Sequence, residues 1–159
     1  MIHRHIPRAS IGVDVMVGFP GETDEDFEET RAFIESLNLS YLHVFTYSER
    51  PGTKAIELPE KIKPAVAEQR SKILLELSTI KRLKFYQQNI GQCPQVIFEQ
   101  QTKGNIMTGF TGNYIKVELP CNALMIGKCV TTELTGISKS GNMTGKLSNK
   151  KKNIDNQSL

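Results

Sequence analysis

The chain has 159 residues, 20 Lys and Arg against 17 Asp and Glu, three His, and a formal net charge of +3. With 38% hydrophobic and 23% charged residues it is neither collagen-like nor wholly disordered, and its length allows one domain or two small ones. No apolar run approaches the roughly 20 residues that span a bilayer, and the opening Met1-Ile2-His3-Arg4-His5-Ile6-Pro7-Arg8 lacks a signal-like apolar stretch, so a soluble cytoplasmic protein is expected.

The first predicted element is Ile11-Gly-Val-Asp-Val-Met-Val-Gly18, whose near-continuous apolarity suits a strand buried on both faces. Phe19-Pro20-Gly21 is a turn, and Thr23 opens a helix by a Thr-x-x-Asp capping box with Asp26. Asp24, Glu25, Asp26, Glu28 and Glu29 complement the positive helix N-terminus. Phe27, Ile34 and Leu37 share a face, with Phe33 beside them, and Asn38 is the expected C-cap. Tyr41 to Tyr47 is a second, aromatic and β-branched strand. Strand, capped helix, strand implies a parallel pair.

A turn at Ser48 to Thr53 and a loop to Pro59 lead to a long helix from Pro64 to Gly91. Val66, Ile73, Leu77 and Ile80 recur along it at helical spacing, and Leu74 and Leu83 widen the stripe. Such a helix is roughly 40 Å long, enough to carry the chain from one domain into another.

From Cys93 onward the pattern changes to short strands: Gln95 to Gln101, Ile106 to Phe110, Tyr114 to Leu119, Lys128 to Leu134 and Met143 to Leu147. Turn residues separate them at Lys103-Gly104-Asn105, Gly112-Asn113, Pro120, Gly136 and Gly141-Asn142. Five strands at this spacing predict a small closed barrel of the oligonucleotide-binding type. Residues 149–159 read as a disordered tail.

Cys93, Cys121 and Cys129 are odd in number, and their gaps of 28 and 8 give no zinc-knuckle or iron–sulfur spacing. They read as reduced, structural thiols. Charge is uneven: residues 1–91 carry 12 basic and 13 acidic side chains, residues 92–159 carry 8 and 4. The C-terminal part is therefore the candidate for a polyanion partner, against the plainer reading of a solvated Lys150-Lys151-Lys152 tail.

Three places can carry chemistry. Val17 to Thr23 joins strand to helix with glycines and a helix N-terminus, which would suit an anion, yet its acids oppose phosphate and a plain tight turn is favoured. Arg50 follows the second strand, at the edge where parallel α/β folds bind ligands, and would contact a carboxylate or phosphate unless Glu49 or another acid claims it. In the C-terminal domain Phe110, Tyr114 and Lys116, with Lys103 and Lys128, combine base stacking with phosphate attraction; alternatively both aromatics fill the barrel core. His43, inside a strand, reads as hydrogen-bonded in the interior or facing a partner, and no nucleophilic triad assembles.

Taken in order, these segments resemble the C-terminal third of the radical S-adenosylmethionine tRNA methylthiotransferases. The matching pieces are Ile11-Gly-Val-Asp-Val-Met-Val-Gly-Phe-Pro-Gly-Glu-Thr23, Phe27-Glu-Glu-Thr30 and Tyr41-Leu-His-Val-Phe-Thr-Tyr-Ser-Glu-Arg-Pro-Gly-Thr53. Gly109-Phe-Thr-Gly-Asn-Tyr-Ile-Lys-Val117 and Ile126-Gly-Lys-Cys-Val130 resemble the TRAM domain, the small RNA-binding barrel of that family. Leu42-His43-Val44-Phe45 is most similar to the branch acting on N6-threonylcarbamoyladenosine at position 37 of tRNA.

The resemblance implies α/β plus all-β architecture: the last two β/α units of a TIM-like radical-SAM barrel with its connecting helix in residues 1–91, then a TRAM barrel in 92–148. It implies S-adenosylmethionine contacts at Val15, Met16, Val17 and Gly18, with Arg50 nearby, and tRNA as partner. Full-length relatives hold two four-iron–four-sulfur clusters, whereas no Cys-x-x-x-Cys-x-x-Cys occurs here, so this chain alone is expected to be inactive and to need no cofactor. Two parallel strands cannot close a barrel; Val15, Val17, Val44 and Phe45 are expected to lie bare, to be covered by a missing N-terminal half or by self-association. The competing reading is a stand-alone, non-catalytic RNA-binding protein.

Overall fold

Alternation decides the first strand. In β1 (Gly12–Val17), Val15 and Val17 are buried and Val13 half-buried, while Gly12, Asp14 and Met16 are exposed. In the computed structural model, which describes residues 2–102 and 104–148, β1 pairs in parallel with β2 (Tyr41–Thr46), Gly12 opposite Tyr41 and Val17 opposite Thr46. Helices α2 (Asp24–Ser36) and α3 (Pro64–Gln87) supply Phe27, Ile34 and Leu74 to one core with Val15, Val17 and Leu42. The expectation of a strand buried on both faces is thus corrected: successive side chains point to opposite faces, and helices cover one only. Val15, Val17 and Val44 are likewise not bare, whereas Phe45 and Met16, on the opposite face, are about half exposed.

Thr23 caps α2 as its sequence predicts. Its hydroxyl accepts from Asp26 N–H at 3.1 Å and the Asp26 carboxylate accepts from Thr23 N–H at 3.0 Å. The C-cap is Leu37, one residue before the expected Asn38. There the buried Lys81 ammonium of α3 donates to the carbonyls of Glu35 and Leu37, satisfying acceptors that the helix leaves unpaired. Ile80, expected on the apolar stripe of α3, and Phe33, expected beside that of α2, are each 63% exposed. Each helix meets the sheet along a line narrower than its apolar sequence.

The described residues fall into two compact units, one of Ala9–Phe85 and one of Tyr86 onward with the N-terminal residues up to Arg8. The division lies inside α3. Tyr86 is buried, and its hydroxyl oxygen accepts from Lys116 N–H at 3.0 Å. The N-terminal segment begins with a short helix unforeseen in the sequence, α1 (Ile2–His5). Asn113 Nδ2 donates to the Arg8 carbonyl at 3.0 Å.

The second unit is a closed barrel of five strands in the order β3 (Gln95–Thr102), β4 (Ile106–Thr111), β5 (Lys116–Pro120), β7 (Met143–Leu147) and β6 (Cys129–Ile137). All pairs are antiparallel except β5 with β7. Val96, Phe98, Met107, Ile115, Val117, Leu119, Leu134 and Met143 fill it. Closure leaves no open edge among these strands. Gly109 is required where β4 crosses β3, since a Cβ there would collide with the Ile97 carbonyl. β5 begins two residues later than expected, because Tyr114 sits in the turn with φ of 60°. The expected tail and Lys103 lie outside the described residues.

Candidate functional surfaces

The loop leaving β1 is closed by its own acid. Gly18 N–H donates to Glu22 Oε2 at 2.6 Å, and Arg70 Nη1 reaches the same oxygen at 2.6 Å. Arg70 also donates to the Glu22 carbonyl and, from Nη2, to Asp24 Oδ1 at 2.7 Å, while its guanidinium lies 5.4 Å from the centre of the Phe27 ring. Burial alone would lower the Arg70 pKa, but the bonds to Asp24 and Glu22 outweigh it and raise the value. The Glu22 carboxylate thus occupies the position an external anion would take, and the plain-turn reading describes this loop. Gly18 has φ of 78°, and a Cβ there would approach the Ala67 Cβ to 2.6 Å.

Arg70 was not singled out from the sequence. The available signal was its place between Val66 and Leu74 at four-residue spacing, since a charge on a buried helix face requires acidic partners.

Beyond the ends of β1 and β2 lies a groove of about 560 Å³ that includes Met16, Phe45, Tyr47, Ser48, Arg50 and Thr53. Of Val15, Met16, Val17 and Gly18, only Met16 turns its side chain to this open side; the other three are buried beneath it. Arg50 is exposed and has no acidic partner among the described residues, because Glu49 pairs with Lys61 at 2.6 Å. Phe19 and Tyr47 meet edge to face at 5.2 Å and wall one side. His43 is exposed, not interior, with its ring edge-on to Tyr41 at 4.9 Å.

On the barrel, strand register places candidate residues in one outward row. Lys116 of β5 is opposite Phe110 of β4, Phe110 is opposite Ile97 of β3, and Ile97 is opposite Cys129 of β6. Phe110 is 37% exposed, Ile97 52% and Tyr114 73%, so neither aromatic belongs to the barrel core. The core positions are taken by their inward neighbours Val96, Phe98 and Ile115. Lys128 is exposed just before β6, its carbonyl accepting from Phe98 N–H at 3.3 Å. Ile97 was missed in the sequence because its alternation with Val96 and Phe98 is apolar throughout.

These features define a mixed α/β protein with a capped parallel βαβ unit and a small closed barrel carrying an aromatic and a lysine on its outer wall. No protein-family model matches the chain. The Aquifex aeolicus threonylcarbamoyladenosine tRNA methylthiotransferase MtaB is 40% identical over 112 residues, 70% of this chain and 26% of that protein. MtaB of Rickettsia prowazekii is 38% identical over 133 residues, 84% of this chain and 30% of its own. The tRNA-2-methylthio-N(6)-dimethylallyladenosine synthase of Desulfitobacterium hafniense is 37% identical over 127 residues, 79% of this chain and 28% of that enzyme. Over most of its length, therefore, this chain is a homologue of the tRNA methylthiotransferases, and it spans less than a third of the length of these relatives.

Proposed function

We propose that these residues form the C-terminal portion of a radical S-adenosylmethionine tRNA methylthiotransferase, the part that grips tRNA. In this reading Ala9–Phe85 supplies the last two β/α units of a TIM-like barrel. The five-stranded barrel is a TRAM domain that contacts tRNA through Phe110, Tyr114, Lys116 and Lys128. The observation that carries the reading is the outward row of Phe110 beside Lys116 in a chain homologous to enzymes named for tRNA. An exposed ring stacks on an unpaired base while a neighbouring ammonium meets phosphate. The activity assigned to the parent enzyme is methylthiolation of N6-threonylcarbamoyladenosine at position 37.

S-adenosylmethionine would be held in the groove beyond β1 and β2, where Met16 offers apolar contact and Arg50, without an acidic partner among the described residues, offers a guanidinium to a carboxylate. When bound, that cofactor supplies the radical chemistry of the family. The protein groups do the positioning: the exposed Met16 and Phe45 side chains would be covered by the cofactor, and the Glu22–Arg70 clasp holds the Gly18 turn in place. The iron–sulfur clusters do not fit this chain's cysteines, which are free and widely spaced in sequence, with Cys93 and Cys129 exposed on the barrel unit.

Titration of the 159-residue chain with labelled tRNA at several salt concentrations tests the reading. Affinity that falls with salt, and that weakens in Phe110→Ala and Lys116→Ala, is the expected result. A log K against log salt slope near zero would remove the proposed grip.

A further inference from the structure

The barrel unit has a groove lined by neither Phe110 nor Lys116. Ile6, Pro7 and Arg8 of the N-terminal segment and Gln92, Cys93 and Gln95 at the entry to β3 enclose about 630 Å³, within the range of about 300–1,000 Å³ usual for small-molecule sites. The sides are tied by Asn113. Its Nδ2 donates to the Arg8 carbonyl and, at 3.3 Å, to Asn89 Oδ1, and its Oδ1 accepts from Thr111 Oγ1 at 2.7 Å. Asn113 is thereby committed to the fold. The side chains of Arg8, Gln92 and Gln95 are not: Arg8 and Gln95 are exposed, Gln92 is half-buried, and no partner engages their polar ends among the described residues.

We propose that this groove is a nucleotide subsite, in which an unpaired RNA base meets the Gln92 and Gln95 amides and Arg8 takes the adjoining phosphate. The inference rests on the RNA-binding reading above. A carboxamide offers a donor and an acceptor side by side, the complement of a base edge. A guanidinium matches phosphate oxygens in pairs. Ile6, Pro7 and Pro94 add apolar surface for the faces of a base. Register joins the groove to the row described above. Gln95 and Ile97 are two residues apart on β3 and share its outer face, and Ile97 is opposite Phe110. A single strand stacked on Phe110 is thereby led along β3 into the groove.

The test measures binding of a labelled short single-stranded oligoribonucleotide, and separately of adenosine monophosphate, to the full chain and to Arg8→Ala, Gln95→Ala and Phe110→Ala. Because all three side chains are exposed, melting temperatures serve as the folding control. Gln95→Ala is expected to weaken the oligonucleotide by about tenfold, and Arg8→Ala to weaken it while lowering the salt slope by about 0.7. Unchanged affinity in both variants, with loss in Phe110→Ala, would overturn the subsite and leave the RNA-binding reading intact. Absence of RNA binding by the unsubstituted chain would overturn both. Sensitivity of the mononucleotide alone to Arg8→Ala and Gln95→Ala would reassign the groove to a free nucleotide and overturn its role in RNA binding.

Discussion

Arg70 Nη1 and the amide of Gly18 meet on one oxygen of Glu22, each at 2.6 Å. A residue in α3 thereby holds a turn whose acidic member, Glu22, lies 48 positions earlier in the chain. The pair is largely shielded, with the Arg70 and Glu22 side chains 5% and 15% exposed.

Removal of Arg70 leaves a half-buried carboxylate with one amide donor. Arg70→Ala is expected to destabilise the chain by about 2 kcal/mol, below the roughly 3–5 kcal/mol of a fully buried pair, because Asp24 remains in water. Arg70→Lys should recover less than half, since an ammonium cannot serve Glu22 and Asp24 with a fixed fork. Urea midpoints at constant slope would measure both.

Leu74 and Ile80 separate the buried face of α3 from its exposed one. Leu74 is fully buried, so Leu74→Ala should cost about 3–5 kcal/mol through transfer and cavity terms. Ile80→Ala should stay within about 0.5 kcal/mol. Equal losses in thermal unfolding would contradict the orientation of the helix.

Glu118 on β5 accepts from Ser140 Oγ at 2.6 Å and Asn142 Nδ2 at 2.7 Å, clasping the β6–β7 turn. Burial pushes its carboxyl up, but bonds from Ser138, Ser140 and Asn142, with Lys116 nearby, outweigh this and lower its pKa below the ordinary 4.5. Since the folded value is the lower one, the ionised form favours folding. That contribution is complete above the ordinary carboxylate range and is lost as pH falls through the lowered folded value. Glu118→Gln should therefore flatten the acid side of a stability-versus-pH curve, and an unaltered acid limb would refute the assignment.

Phe110 is exposed, so its truncation should spare the fold while costing about 1–3 kcal/mol in tRNA binding through lost stacking. Lys116→Ala should instead weaken binding to all RNA sequences alike and lower the salt slope by about one unit. Fluorescence anisotropy at graded salt, with melting curves as control, distinguishes the two effects.

Local physics made much of this chain readable in advance. The capping box of Thr23 and Asp26, the parallel pair around it, the Pro64 helix start and the five short strands all follow from patterns a few residues long. The motifs around Gly18 and Arg50 likewise carry the family resemblance in short stretches of sequence. What the sequence alone did not contain was which apolar residues face inward. Val15 and Met16 are equally apolar neighbours, as are Val96 and Ile97, and only strand register and helix packing bury one of each pair and expose the other. The same holds for Arg70 and for the groove at Arg8 and Gln95, whose parts are far apart in the chain. Their meeting depends on long-range packing, which periodicity cannot report.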